Sequence, residues 1–112
     1  MLSKEKRTPR GLFSNILKNG VSFHSILISI KVLENKDENS RFSFVVPKAV
    51  SKSAVKRNLI RRRGYSIIKK HLKNIKNGYL YAFFVKKGAE KLKFTEFEDQ
   101  IVGILKKMRV YD

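Results

Sequence analysis

The chain is a strongly basic polypeptide of 112 residues, in which 26 Lys and Arg outnumber 9 Asp and Glu to give a net charge of +17. Its length suits a single domain, assigned to residues 1–112, and its 42% hydrophobic content argues against disorder. The chain has no Cys, which excludes disulfides and thiolate metal sites. We see no signal peptide or membrane-spanning stretch and therefore expect a cytoplasmic protein.

The positive charge is concentrated in the middle of the chain. No Asp or Glu occurs between Arg41 and Glu90, whereas 13 basic residues lie between Lys48 and Lys87. A compact domain with such a field repels itself, and a polyanion would relieve that repulsion. The pattern therefore favours nucleic-acid binding over a merely soluble, partnerless protein.

The first half of the chain predicts one helix and two strands. Residues 1–8 form a basic arm that we expect to be mobile. Residues 9–20 predict a helix that begins at a Pro and ends at a Gly. Alternating apolar residues predict strands over 25–32 and 41–46. The polar residues 33–40 between the strands predict a loop.

The second half predicts a helix, a strand and a helix. A long helix is expected over 53–75, and the apolar run 79–85 is typical of a buried strand. Thr95 and Glu98 have the spacing of a capping box for the last helix. The order α-β-β-α-β-α, with a possible extra edge strand, predicts an α/β (α+β) two-layer sandwich.

The long helix separates apolar from basic side chains. At about 100° per residue, one arc faces the sheet and the opposite arc is cationic. The apolar arc contains Ile60, Ile67, Ile68 and Leu72, and the cationic arc contains Arg62, Arg63, Lys69, Lys70 and Lys73, which Lys52 would join if the turn before the helix is helical. Arg57 and Arg61 fit neither arc, so they either edge the packed face or make a second nucleic-acid contact. Gly64 leaves bare backbone that a phosphate could approach.

A solvated surface helix is the simpler interpretation of these charges. However, no acidic residues are interleaved with the cations to form i,i+4 pairs. Lys48, Lys52 and Lys56 extend the cationic surface to the helix start, where free N–H groups also favour anions. Asn58 adds a neutral group that can both donate and accept hydrogen bonds.

The segment from Lys48 to Arg62, KAVSKSAVKRNLIRR, resembles the signature of the bacterial ribonuclease P protein component. That signature has a Lys near a strand end, then Ala-Val, Arg-Asn, an apolar residue and a basic pair. Residues 12–20 and 85–94 are similar to the first helix and the basic loop of the family. The chain departs from the family at Leu59 and Tyr65, where basic residues are usual.

The resemblance implies a ribosomal-protein domain-2-like fold with a left-handed β-α-β crossover, although the general rule favours right-handed crossovers. It also implies two RNA-binding surfaces. One would dock on a catalytic RNA through Lys48, Lys52, Lys56, Arg57, Asn58, Arg61, Arg62 and Arg63. The other is a cleft between the first helix and the sheet for the 5′ leader of precursor tRNA, near Phe13, Leu17, Lys86 and Lys87. Phe13 could equally be a simple core residue.

The resemblance further implies that RNA performs the hydrolysis, with Mg²⁺ held on RNA phosphates and no cofactor, small-molecule substrate or membrane bound by the protein. The sequence agrees, because its acids are scattered and predict neither catalytic nor metal-ligating residues. Asp37 and Glu38 are the one tight loop pair and suggest a solvated turn. His71, near the apolar arc, is expected to be a partly buried structural residue, whereas His24 has no evident partner.

Three other functions fit parts of the sequence. A structural rRNA-binding protein of the ribosome would share the size and charge of this chain. A DNA-binding module would need base-reading side chains in a major groove, whereas this helix suits phosphates. A peripheral membrane protein would need free apolar residues opposite the charges, a face that the sheet should cover.

Overall fold

The computed structural model of the chain describes residues 3–35 and 39–112. Asp37 and Glu38, the predicted solvated turn, lie outside these residues. The sheet contains four strands, β1 (Val21–His24), β2 (Ile28–Glu34), β3 (Arg41–Val45) and β4 (Tyr79–Val85), in the order β1-β2-β4-β3. The helices are α1 (Arg10–Asn19), α2 (Ala54–His71) and α3 (Phe94–Lys107).

The topology confirms the predicted class. β2 runs antiparallel to both β1 and β4, whereas β3 and β4 are parallel and joined through α2. The order and the β3-α2-β4 crossover are consistent with the fold that the resemblance implies, and β1 is the extra edge strand. None of the helices described by the structure combines the length and apolar character needed to cross a bilayer.

The sheet buries side chains on both faces. Tyr81, Phe83 and Val85 of β4 belong to the main core shared with α2 and α3. Leu80 and Ala82 alternate with them and pack against Ile16 of α1 in a smaller cluster. This two-sided burial explains why β4 is a continuous apolar run instead of an alternating one.

The strand predicted over 25–32 was placed too early. A tight turn occupies residues 25–27, where Ser25 N donates to Ile28 O at 2.9 Å, and it leaves Ile26 88% exposed. β2 then continues through Leu33 and Glu34, because both pair with β4. Alternation alone could not show that Ile26 belongs to a turn.

The long helix is shorter than predicted but begins where expected. Ser53 is its N-cap, and Ser53 Oγ accepts from Lys56 N at 3.3 Å. The α-helix ends at His71, and a 3₁₀ turn (Leu72–Asn74) continues the chain. Similarly, β3 ends at Val45, although Val46 remains buried.

Residues 3–8, within the arm predicted to be mobile, lie against the edge strand β3. Thr8 N donates to Phe42 O at 3.1 Å, and Arg41 Nη1 donates to Glu5 O at 2.8 Å. An edge strand offers unpaired backbone groups that a neighbouring segment can satisfy. The backbone of this segment is therefore held beside the sheet.

The predicted capping box at Thr95 and Glu98 is wrong. Because α3 begins at Phe94, the N-cap is Lys93, whose N–H donates to Glu96 Oε1 at 2.8 Å. Glu98 instead faces α2, where its Oε2 lies 2.9 Å from Lys70 Nζ and 2.7 Å from His71 Nε2.

His71 joins two helices and the C-terminal segment, as expected of a structural residue. Its Nδ1 lies 2.8 Å from the Tyr111 hydroxyl, and its Nε2 contacts Glu98. The hydrogen bonds from Lys70 and then His71 hold the pKa of Glu98 below its usual value. Glu98 therefore stabilises the fold as a carboxylate.

We expect Glu98→Gln to lower the free energy of unfolding by about 1 kcal/mol at neutral pH. The folded-state pKa of Glu98 is lowered, so its contribution is present above the unfolded pKa and is lost as pH falls through the folded pKa. Urea denaturation at a series of pH values from neutral to acid should show the unfolding free energies of the two proteins converging below about pH 4. Asp99→Asn, on the same helix, is the control, and a pH-independent difference would contradict the assignment.

Gly64 of α2 is buried against the sheet. A Cβ at this position would lie 2.7–2.8 Å from three ring atoms of Phe44. The expectation that a phosphate approaches the bare backbone is therefore wrong, because this side of the helix is filled by an aromatic ring. The missing side chain lets α2 pack closely on β3.

We expect Gly64→Ala to destabilise the protein by about 1–3 kcal/mol through overpacking, despite the higher helix propensity of Ala. Gly103→Ala in α3 is the matched control, because a Cβ there meets nothing within 4 Å. This control should instead be stabilised by up to about 1 kcal/mol. Urea denaturation of both variants measures the contrast, and an equal gain in stability at both sites would refute the packing role of Gly64.

Candidate nucleic-acid interface

The division of α2 into a dry and a cationic side is confirmed. Ile60, Ile67 and Ile68 are buried in the main core, and Leu72 packs against it. The cations of the opposite arc are exposed, apart from the half-buried Arg63. The exposed members are Arg62, Lys69, Lys70 and Lys73, and Lys52 is exposed too but does not belong to the arc, because the residues directly before α2 are not helical.

Both arginines that fitted neither arc are half-buried. Arg57 Nη1 donates to Ser51 O at 2.9 Å and to Lys52 O at 3.0 Å, so it fixes the loop before α2. Arg61 donates to the Asn58 side-chain oxygen, one turn earlier on the helix. Arg57 therefore has a structural role, and Arg61 is oriented by its neighbour.

The docking residues predicted from the sequence lie on the loop before α2 and on the first half of that helix. Lys48, Lys52 and Lys56 are exposed at its start. Within residues 3–35 and 39–112, the carboxylate contacts of basic side chains are those of Glu98 with Lys70 and His71. The surface from 48 to 63 thus makes no ion pair with a carboxylate of the described chain, which leaves its cations available to phosphates.

Glu90 is an acid that lies beside this surface. It lines a shallow depression together with Lys56 and Arg63. Its carboxylate, however, accepts hydrogen bonds from Gly88 N at 2.6 and 3.1 Å. Glu90 thus stabilises the turn after β4 and forms no ion pair with the described residues of α2.

Two adjoining depressions form a groove between the N-terminal segment and α2. The first is lined by Arg7, Val55, Asn58, Arg61, Arg62 and Tyr65. The second is lined by Lys4, Glu5, Arg7, Thr8, Pro9, Arg41 and Tyr65. The sequence analysis did not single out Arg7 and Arg41 and named Tyr65 only as a departure from the family, because only the pairing of residues 3–8 with β3 builds the wall that faces Tyr65 on α2.

The residues of the predicted leader cleft lie on the other face of the sheet. Phe13 is half-buried, and its ring is tilted against that of Phe84 with centroids 6.3 Å apart. Lys86 and Lys87 follow at the end of β4, where Lys86 Nζ donates to Ser25 O at 2.6 Å and Lys87 is exposed. Phe13 therefore shares one end of β4 with these lysines.

Leu17 lies farther along α1 and is 43% exposed. Its carbonyl oxygen accepts a hydrogen bond from Lys31 Nζ at 3.0 Å. A basic side chain of β2, which the sequence analysis did not single out, therefore lies next to Leu17 on the α1 face.

The acids and histidines in the described part of the chain do not gather into a reactive group. Among the described residues, no three His, Asp or Glu side chains lie close enough to hold a metal ion together. His24 is exposed at the end of β1, where it pairs in register with Ser29. The carboxylates of Glu90, Glu96 and Glu98 are already engaged by protein donors.

Comparisons with known proteins agree with these features. The family model of ribonuclease P matches residues 2–109. The ribonuclease P protein component of Pseudanabaena sp. is 30% identical over 99 residues, covering 88% of this chain and 85% of that protein. The corresponding protein of Syntrophomonas wolfei is 28% identical over 113 residues, covering 99% and 93%.

Two solved structures share the fold. The RNase P protein of Staphylococcus aureus superposes with a TM-score of 0.86 at 21% identity, covering 98% of this chain and 100% of that one. The RNase P protein of Thermotoga maritima gives 0.82 at 22% identity, covering 90% and 96%. With its matching family model, its relatives and its basic helix surface, the chain belongs to the family of ribonuclease P protein components.

Proposed function

We propose that this chain is the subunit that holds RNA in a ribonuclease P, and that its RNA partner carries out the cleavage of precursor tRNA. The observation that carries the proposal is the cationic surface of residues 48–63. It is rigidly backed by the core and lacks carboxylate partners in the described chain. This surface would dock on the catalytic RNA.

The chemistry of the surface suits RNA phosphates. Arg62 presents an exposed planar guanidinium that can contact two phosphate oxygens, and it stays charged at any relevant pH. Lys48, Lys52 and Lys56 add point charges beside the N-terminus of α2, where the helix dipole also favours anions. Each phosphate that is bound releases condensed counterions, so binding should weaken steeply with salt.

The protein does not fit the role of the nuclease itself. A metal-dependent nuclease needs carboxylates that converge and remain free to bind the ion. Glu90 and Glu96 accept backbone hydrogen bonds here, and Glu98 is paired with α2. We therefore assign the Mg²⁺ of the holoenzyme to RNA phosphates. We also propose that the protein acts in the cytoplasm, where tRNA precursors are made.

The α1 face is our proposed site for the single-stranded 5′ leader. Phe13 presents a partly exposed ring beside Phe84, and unpaired bases can stack on such rings without strong sequence preference. Lys87 is free to meet leader phosphates, whereas Lys86 is partly committed to Ser25 O. Leu17 would contribute apolar surface one turn away.

The other functions are less well supported. The apolar side of α2 is buried by the sheet, and Val55 and Leu59 are the large apolar side chains that remain exposed on the described helix, which is a small area for lipid. The Arg-rich side of α2 suits phosphates better than the base edges of a DNA groove. No observation favours a ribosomal rRNA-binding protein over the family that the chain matches.

Replacing Arg61 and Arg62 together with Ala should weaken binding to a bacterial ribonuclease P RNA. The slope of log affinity against log salt should fall by about one for each phosphate that the variant no longer binds. Lys93→Ala with Lys107→Ala removes the same charge from exposed positions on α3 and should change affinity little. Equal effects of the two double variants would mean that net charge, and not this surface, drives binding.

Reconstitution with a bacterial ribonuclease P RNA and precursor tRNA tests the function as a whole. At low Mg²⁺, the protein should raise the rate of cleavage at the mature 5′ end above that of RNA alone, and protein alone should cleave nothing. Lys87→Ala should weaken the complex with precursor tRNA but not with mature tRNA, which lacks a leader. Cleavage by the isolated protein would overturn the assignment of chemistry to RNA.

A further inference from the structure

The groove between residues 4–9 and α2 is a second RNA site that the docking surface alone does not explain. We propose that it holds an unpaired nucleotide of the catalytic RNA, with the base stacked on Tyr65 and the flanking phosphates between the basic side chains of its two walls. This inference rests on the proposed docking of α2 on that RNA.

The groove is continuous and large enough for a nucleotide. Its two depressions enclose about 620 and 700 Å³ and share Arg7 and Tyr65 as lining residues. Ligand pockets in proteins commonly enclose about 300–1,000 Å³. Because Tyr65 lines both halves, a strand that follows the groove must pass its ring.

Tyr65 is held as a rigid platform. Its ring is half-buried and meets the Phe44 ring edge-on, with centroids 5.3 Å apart and an interplanar angle of 82°. Phe44 is itself stacked on Phe83 at 4.6 Å, inside the main core. A ring anchored in this way can stack on a base without first losing conformational freedom.

Basic side chains stand on both walls of the groove. Arg61 and Arg62 project from α2, whereas Lys4, Arg7 and Arg41 belong to the N-terminal segment and β3. Glu5 is the single acid among these lining residues. An aromatic platform between cations is the arrangement that binds unpaired strands, since a paired base keeps both faces inside its own helix.

The N-terminal wall is built for this position. Arg41 Nη1 donates to Glu5 O at 2.8 Å and to Arg7 O at 3.5 Å, which ties the segment to β3.

The location of the groove favours the catalytic RNA over the leader as the source of the strand. One wall consists of Asn58, Arg61 and Arg62, which belong to the proposed docking surface. The proposed leader site around Phe13 lies on the α1 face of the sheet, opposite α2. A strand already held on α2 would enter the groove without crossing the edge of the sheet.

Substitutions at Tyr65 separate stacking from packing. The chain has no Trp, so Tyr65→Trp introduces a unique fluorophore, and its emission should be quenched when a bacterial ribonuclease P RNA is added without precursor tRNA. Tyr65→Phe should bind that RNA like the unsubstituted protein. Tyr65→Leu keeps apolar volume but loses the aromatic face, and should bind about tenfold more weakly. Thermal denaturation of the Leu and Phe variants reports any loss of fold.

The outcomes distinguish this inference from the docking proposal. If Tyr65→Leu folds and binds the catalytic RNA normally while Arg61→Ala with Arg62→Ala weakens binding, docking stands and the groove inference is wrong. If neither substitution weakens binding, the docking proposal itself fails. If Tyr65→Leu matters only for precursor tRNA and its effect grows with leader length, the groove holds the leader, which overturns our assignment. Should Tyr65→Leu unfold, unquenched emission of folded Tyr65→Trp in the complex would contradict stacking.

Discussion

The close packing of α2 on the sheet is the constraint on which the interface depends. Gly64 lets the helix approach until its backbone meets the Phe44 ring, and Ile60, Ile67 and Ile68 fill the space on either side. Because this side of α2 is packed against the sheet, the basic side chains of the opposite arc face the solvent. The cationic surface is therefore a consequence of how the core is filled.

The same packing explains why so much unopposed charge is tolerated. Like charges on one surface repel each other and lower stability, and the described residues offer them few carboxylates. The contacts of Glu98 with Lys70 and His71 lie at the C-terminal end of α2. They attach this helix to α3 and do not involve the residues that we propose for docking. A polyanion that binds the folded state would add stability through mass action.

The two faces of the sheet carry the two surfaces that we propose for RNA. On one face, α2 presents cations on a rigid helix, and the N-terminal segment adds a groove beside it. On the other, α1 covers β4 only in part and leaves Phe13 and Leu17 accessible near basic side chains. In our proposal, the catalytic RNA and the leader of the substrate are therefore held on opposite faces of the sheet.

The sequence by itself determined the two sides of α2, the buried strand β4 and most of the helices and strands, and it predicts the docking residues from Lys48 to Arg63. These are local patterns, visible in periodicity and in charge along one stretch of chain. Only the tertiary structure decided where distant segments meet. In the folded chain, residues 25–27 form the turn of a hairpin, and Glu98 contacts α2 instead of capping α3. Phe44 packs against Gly64, and Arg7 and Arg41 lie beside Tyr65. Each of these contacts joins residues far apart in the chain or depends on the pairing of a particular strand, and no local pattern of residues encodes that pairing.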